Sequence, residues 1–210
     1  MDFMMNIKAN SNTLHKAVET TGFTKRLLDG QASKESYAEY LFNLHAMYVA
    51  IETELEKHSD NEVVSILAPK ELYRSKVIEK DLKFLLGDTL SDMTLLASTK
   101  ACVARIKEIS ESQPELITAH AYTRFLADLF GGRLFLKLLT ENYKITSEGL
   151  NYYSYDNLGD PMKYVMNYHN KLNSVQLSEE LQKAFIDEIS NNYIYNLAIS
   201  NELETKLFVK

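Results

Sequence analysis

Apolar residues recur at three- and four-residue spacings along most of this 210-residue chain, and only seven glycines and three prolines interrupt them. A repeat of that period lines one face of an α-helix, whereas a strand alternates its faces every second residue. The chain is therefore read as all-α. Its length and 45% hydrophobic content suit one well-filled core. No internal repeat, low-complexity tract or linker-like shift divides it, so residues 1–210 are taken as a single domain.

Local signals place the helix ends. A first helix is expected over about 6 to 21, ended by Gly22. Ser33 is an N-cap for SKESYAEYLFNLHAMYVAIETELEKH, a helix reaching about 57 and closed by HSDN. Pro69 suits the start of a helix over about 70 to 86, ended by Gly87, and another follows over about 93 to 111. Pro114 opens a helix to about 142 that runs through Gly131 and Gly132, because LFLKLLTENY resumes the apolar repeat beyond them. SEGLNYYSYDNLGDP, residues 147 to 161, is the longest irregular connection, and helices over about 161 to 173 and 178 to 206 complete the chain.

Several function classes drop out. A net charge of −6, with no Lys/Arg cluster interleaved with aromatics, argues against nucleic acid. MDFMMNIKAN has no apolar signal core, no run nears the roughly 18 apolar residues of a membrane span, and NELETKLFVK is charged. A cytoplasmic protein without a membrane anchor is expected. Cys102 is the single cysteine and falls on the apolar side of its helix, so it reads as core. HxxxH, HExxH and CxxC spacings are lacking, which argues against zinc hydrolysis.

Two stretches carry polar chemistry. In AHAYTRFLADLFGG, residues 119–132, Arg124, Asp128 and Gly131 share one stripe with Phe135 just beyond, flanked by Ala127 and Gly132. Two interior glycines forfeit about 2 kcal/mol relative to alanine, which a close neighbour must offset, whether a packed helix or a flat ligand. In SNTLHKAVETTGF, His15 and Glu19 lie one turn apart, and Lys8 precedes His15 by two turns on the same side. A carboxylate accepting from one imidazole nitrogen fixes the tautomer and leaves the other nitrogen for a metal. One histidine suffices for haem, whose porphyrin supplies four nitrogens. Taken alone, the Arg–Asp pair also reads as a solvated bridge and the histidine as a structural residue.

Together these stretches resemble the heme oxygenase family: LHKAVE around a proximal histidine, and AHAYTR with DL and GG on a distal helix. NLHAMYVAIETELE lies between them, and EGLNYYSY and LNSVQLS follow in order, so the resemblance covers nearly the whole chain. It implies a helical bundle with haem sandwiched between a proximal and a distal helix. It also implies cleavage of haem to biliverdin, carbon monoxide and ferrous iron, haem b being cofactor and substrate. Oxygen and an external electron donor (a reductase, flavodoxin or ferredoxin) would be required, and an iron-acquisition role is consistent with this.

By the same resemblance His15 would be the axial iron ligand, with Glu19 its hydrogen-bond partner. Gly131 and Gly132 would let backbone approach the porphyrin, and Tyr48, Arg124, Asp128 and Asn196 would form a polar, water-filled network beyond the iron. Asp128 would hold a water that delivers protons there. Lys8 and Tyr122 match propionate contacts, whereas Val165 and His169 stand where Lys and Arg are usual, His169 serving as a partial replacement. The α isomer of biliverdin is expected. Ala127 stands for a further glycine near the oxygen site and Phe130 for a small polar residue, both implying reduced coupling. His45 and His120 read as core or supporting residues, His58 as a solvated helix end, and Tyr152 and Tyr153 as packing. The alternatives are a non-degrading haem carrier or sensor, and a non-haem di-iron or thiamin-related member of the same helical superfamily.

Overall fold

The computed structural model of the chain describes residues 2–209, and Met1 and Lys210 lie outside it. Among the described residues the regular structure is helical, with no strand. The helices are α1 (Phe3–Thr20), α2 (Gly22–Leu28), α3 (Lys34–Lys57), α4 (Glu62–Leu67) and α5 (Ser75–Leu86). They continue with α6 (Ala97–Ser112), α7 (Ile117–Glu141), α8 (Pro161–Ser174) and α9 (Glu179–Phe208). Short 3-10 turns join several of them.

Local caps open three helices, the one at Ser33 as expected. Ser33 and Ser36 exchange a capping box at the start of α3, and Ser178 accepts from Leu181 N at 3.2 Å to open α9. Asp160 accepts from Met162 N and Lys163 N at 2.9 and 3.2 Å, with Pro161 in the first turn of α8. Gly131 and Gly132 lie inside α7.

Other boundaries differ, and the cause is tertiary. The first helix ends at Thr20 and Gly22 opens α2 instead of closing α1. Gly22 has φ +57°, and a Cβ there would stand 2.8 Å from the Ser200 backbone carbon of α9. The single helix expected over 70 to 86 is a 3-10 turn, Lys70–Leu72, followed by α5. Buried Glu52 of α3 accepts from Arg74 N at 2.6 Å and Ser75 N at 2.9 Å, starting α5 afresh. Glu202 of α9 does the same for α6, accepting from Ala97 N and Ser98 N at 2.9 and 2.8 Å, so that helix begins later than 93. The short α4, capped by Asn61, holds too few apolar positions to show a period and was not expected.

α9 is the central strut, with α1, α2, α6 and α7 packed along it, while α3 gathers α5, α6 and α7. α8 leans on α1, α4 and α7. Thus α1 and α7 have α8 and α9 as common neighbours but make no extensive contact with each other. α7 is buried without interruption from Ile117 to Phe125, taking Thr118, His120, Thr123 and Arg124 inside with it, and then emerges at Phe130 and Leu134. Cys102 is fully buried, as expected.

Candidate functional site

On α1, His15 is about half exposed and neither ring nitrogen makes a hydrogen bond among the described residues. Its Nε2 lies 3.7 Å from Glu19 Oε1, an ion-pair distance beyond hydrogen bonding, so the expected direct bond is not formed. The ring meets Tyr193 of α9 edge to face, with centroids 5.8 Å apart. Tyr193 was not singled out in the sequence. Burial raises its phenol pKa, Arg124 of α7 opposes that rise and Glu19 of α1 adds to it. One α9 side chain therefore packs on the His15 ring and lies within electrostatic reach of Arg124 on α7.

Within α7, Arg124 and Asp128 are both buried. Among the described residues no direct ion pair joins them, contrary to the charge pair read from their spacing, and Arg124 Nε is buried without a partner. Burial works against the Arg124 charge, but the phenols of Tyr40, Tyr152 and Tyr48 and the Asp128 carboxylate outweigh it and raise its pKa. Asp128 is instead held by phenols: Tyr48 of α3 donates to Oδ2 and Tyr152 to Oδ1, with Tyr155 reaching Oδ2 at 3.4 Å. Burial raises the Asp128 pKa, and Arg124, Tyr152 and Tyr48 oppose it.

Tyr152 does more than pack, contrary to the sequence expectation: its phenol donates to Asp128. Tyr153 does pack, its ring stacked on Phe135 at 6.3 Å. Asn196 does not join the set; its Nδ2 donates to Asn192 O at 2.7 Å, and Asn192 turns towards His120 O at 3.4 Å. A Cβ at Gly132 would stand 3.4 Å from Tyr153 and one at Gly131 3.7 Å from Phe135, ordinary contact distances, so neither neighbour by itself demands a glycine. Ala127 is half-buried and Phe130 exposed.

Two of the residues matched to propionate contacts, Tyr122 and His169, lie side by side, with ring centroids 6.4 Å apart. Burial lowers the His169 pKa, Asp2 opposes that, and the charge of exposed Lys8 lowers it further. His169 Nε2 is buried with no hydrogen-bond partner among the described residues. Val165 is buried in the core and offers no polar contact.

The remaining histidines divide. Fully buried His120 bonds Glu188 at 2.8 Å, His45 is half-buried, and His58 sits at the α3 end as expected but is half-buried instead of solvated, its ring bonded to buried Ser110 Oγ at 3.0 Å. A groove of about 640 Å³ runs between α7 and the 147–161 connection, lined by Asp128, Gly132, Arg133, Asn151 and Tyr155 among others. A neighbouring one of about 590 Å³ includes Phe130, Arg133 and Met162, and no residue of α1 lines either. Among the described residues no three His, Cys, Asp or Glu side chains group as a metal site, and no described helix is long and apolar enough to cross a membrane.

Comparison with known proteins points one way. The family model described as heme oxygenase matches residues 1–202. The chain is 32% identical over 211 residues to the heme oxygenase of Takifugu rubripes, covering 99% of this chain and 76% of that protein. With the heme oxygenase of Rhodella violacea it shares 30% identity, covering 98% of this chain and 88% of the relative. Its structure resembles that of heme oxygenase-1 from the cyanobacterium Synechocystis in complex with heme, with a TM-score of 0.93 at 28% identity over 99% of this chain and 94% of the other.

Proposed function

The chain belongs to the heme oxygenase family, and from that premise we infer that it oxidatively opens haem to biliverdin, carbon monoxide and ferrous iron. Oxygen and electrons come from outside the chain, the electrons from a reductase, flavodoxin or ferredoxin. The observation that carries this reading is a half-exposed His15 on α1, without a hydrogen bond among the described residues and with Tyr193 of α9 against its ring, in the same chain as a buried Arg124 and Asp128 on α7.

The residues present fit haem. Among the described residues His15 makes no ring hydrogen bond, and buried Arg124 Nε and His169 Nε2 have no hydrogen-bond partner. Haem, when bound, supplies the iron at which oxygen is reduced and the porphyrin carbon that is oxidised. His15 would hold the iron, with Glu19 favouring the imidazole through its charge. Lys8, Tyr122 and His169 would take the propionates, and Gly131, Gly132 and Ala127 would form the opposite wall. Tyr48 and Asp128 would hold water on the distal side and pass protons singly, with Arg124 lowering the cost of the buried carboxylate. Asn196 would act on this network only through water.

Reconstituting the full chain with haem and supplying a reductant in air tests the reading. Bilin absorption and released carbon monoxide are expected. Haem that binds and stays intact under every competent reductant would make the protein a carrier.

A further inference from the structure

Phenols from two separate parts of the chain hold the Asp128 carboxylate. Tyr48 comes from α3, and Tyr152 and Tyr155 come from the 147–161 connection. An ionised carboxylate offers about four lone-pair sites, so three donors leave about one. The connection is itself tied down. Fully buried Asp81 of α5 accepts from Asn151 N, Tyr152 N and Asn151 Nδ2 at 2.9, 2.8 and 2.7 Å. Arg74 donates to Ser154 O at 2.7 Å and lays its guanidinium 4.1 Å over the Tyr155 ring. α5 and the turn before it therefore set where the Tyr152 phenol stands.

We propose that Tyr152 is a positioning residue for haem cleavage: anchored through its backbone by Asp81, its phenol holds the Asp128 carboxylate in one orientation and leaves a single acceptor site for the proton-carrying water. This rests on the role given to Asp128 above. A phenylalanine ring would fill the same space and donate nothing. The charged and titratable groups around Asp128 are Arg124 on its own helix, Tyr37 and Tyr48 on α3, Arg74 before α5, and Tyr152, Tyr153 and Tyr155 on the connection. Burial favours the protonated acid and the Tyr152 donor opposes it. Without that donor Asp128 shifts towards an acid that gives up its own proton instead of orienting a water.

Two variants of the full chain, Tyr152→Phe and Tyr152→3-fluorotyrosine, test this. In haem-free protein the Asp128 carboxyl is titrated by infrared difference spectroscopy and assigned by its loss in Asp128→Asn. Tyr152→Phe should raise that pKa by about one to two units, the size expected for losing a charge-assisted hydrogen bond. The fluorinated phenol is more acidic and a stronger donor, so it should lower the pKa; it keeps the shape of tyrosine and serves even if Tyr152→Phe does not fold. In haem-loaded protein Tyr152→Phe should cut bilin formed per haem consumed by at least about threefold at unchanged haem affinity. A carboxyl titration that moves with neither variant overturns the proposal, as does an undiminished bilin yield in Tyr152→Phe. Full yield in Asp128→Asn would overturn the role of Asp128 itself, and no bilin from the unsubstituted chain would overturn the haem-cleaving reading; the infrared measurement is independent of both.

Discussion

Asp128 and His169 show how much a single side chain decides here. Asp128→Asn keeps the shape of the site but removes the acceptor charge that the phenols and Arg124 surround. Single-turnover bilin yield should fall at least about tenfold, with haem affinity within about twofold, because general acid–base groups act on the reaction more than on binding. His169 is held below the usual imidazole pKa by burial, with Lys8 adding to the effect and Asp2 opposing it. That favours the neutral imidazole, which offers a propionate a hydrogen bond without a full charge. His169→Arg adds a permanent, bidentate cation, so haem should bind at least about threefold tighter in a titration and the products should resolve into one dominant bilin isomer. Spacing alone placed His15 and Glu19 on one face and Arg124 and Asp128 on another. Tyr152 stayed hidden because a buried phenol has the same sequence signature whether or not its hydroxyl finds a partner.

Helix existence follows from period, and helix ends follow from who supplies the cap. α3, α8 and α9 carry their caps beside them and begin as expected. α5 and α6 take theirs from Glu52 and Glu202 on other helices, which no local pattern announces. Gly22 is of the same kind, a residue needed because α9 lies against it. Gly22→Ala should destabilise the fold by at least about 2 kcal/mol in urea unfolding, from a left-handed φ together with a backbone contact 2.8 Å from the new methyl. An unchanged midpoint would show that the α2–α9 approach relaxes freely.

Across the whole molecule, Glu188 ties three helices together: from α9 it accepts from Arg105 of α6 and His120 of α7, each at 2.8 Å. Burial would raise its pKa, but His120 and then Arg105 outweigh that and hold the carboxyl down to about 2. A depressed carboxylate stabilises the folded state above its unfolded pKa of roughly 4.3 and loses that contribution as pH falls towards 2. Unfolding midpoints should therefore decline between about pH 4.3 and 2, and Glu188→Gln should flatten that decline while lowering stability above it. By itself the sequence determined the all-α class, the long helices and the two polar stripes, because the period of apolar residues is a property of neighbours along the chain. Only the tertiary structure decided where α5 and α6 begin, that Arg124 and Asp128 stand apart, and that Tyr152 holds Asp128. A buried charge or hydroxyl takes whatever donor or acceptor packing brings to it, and those partners lie tens of residues away.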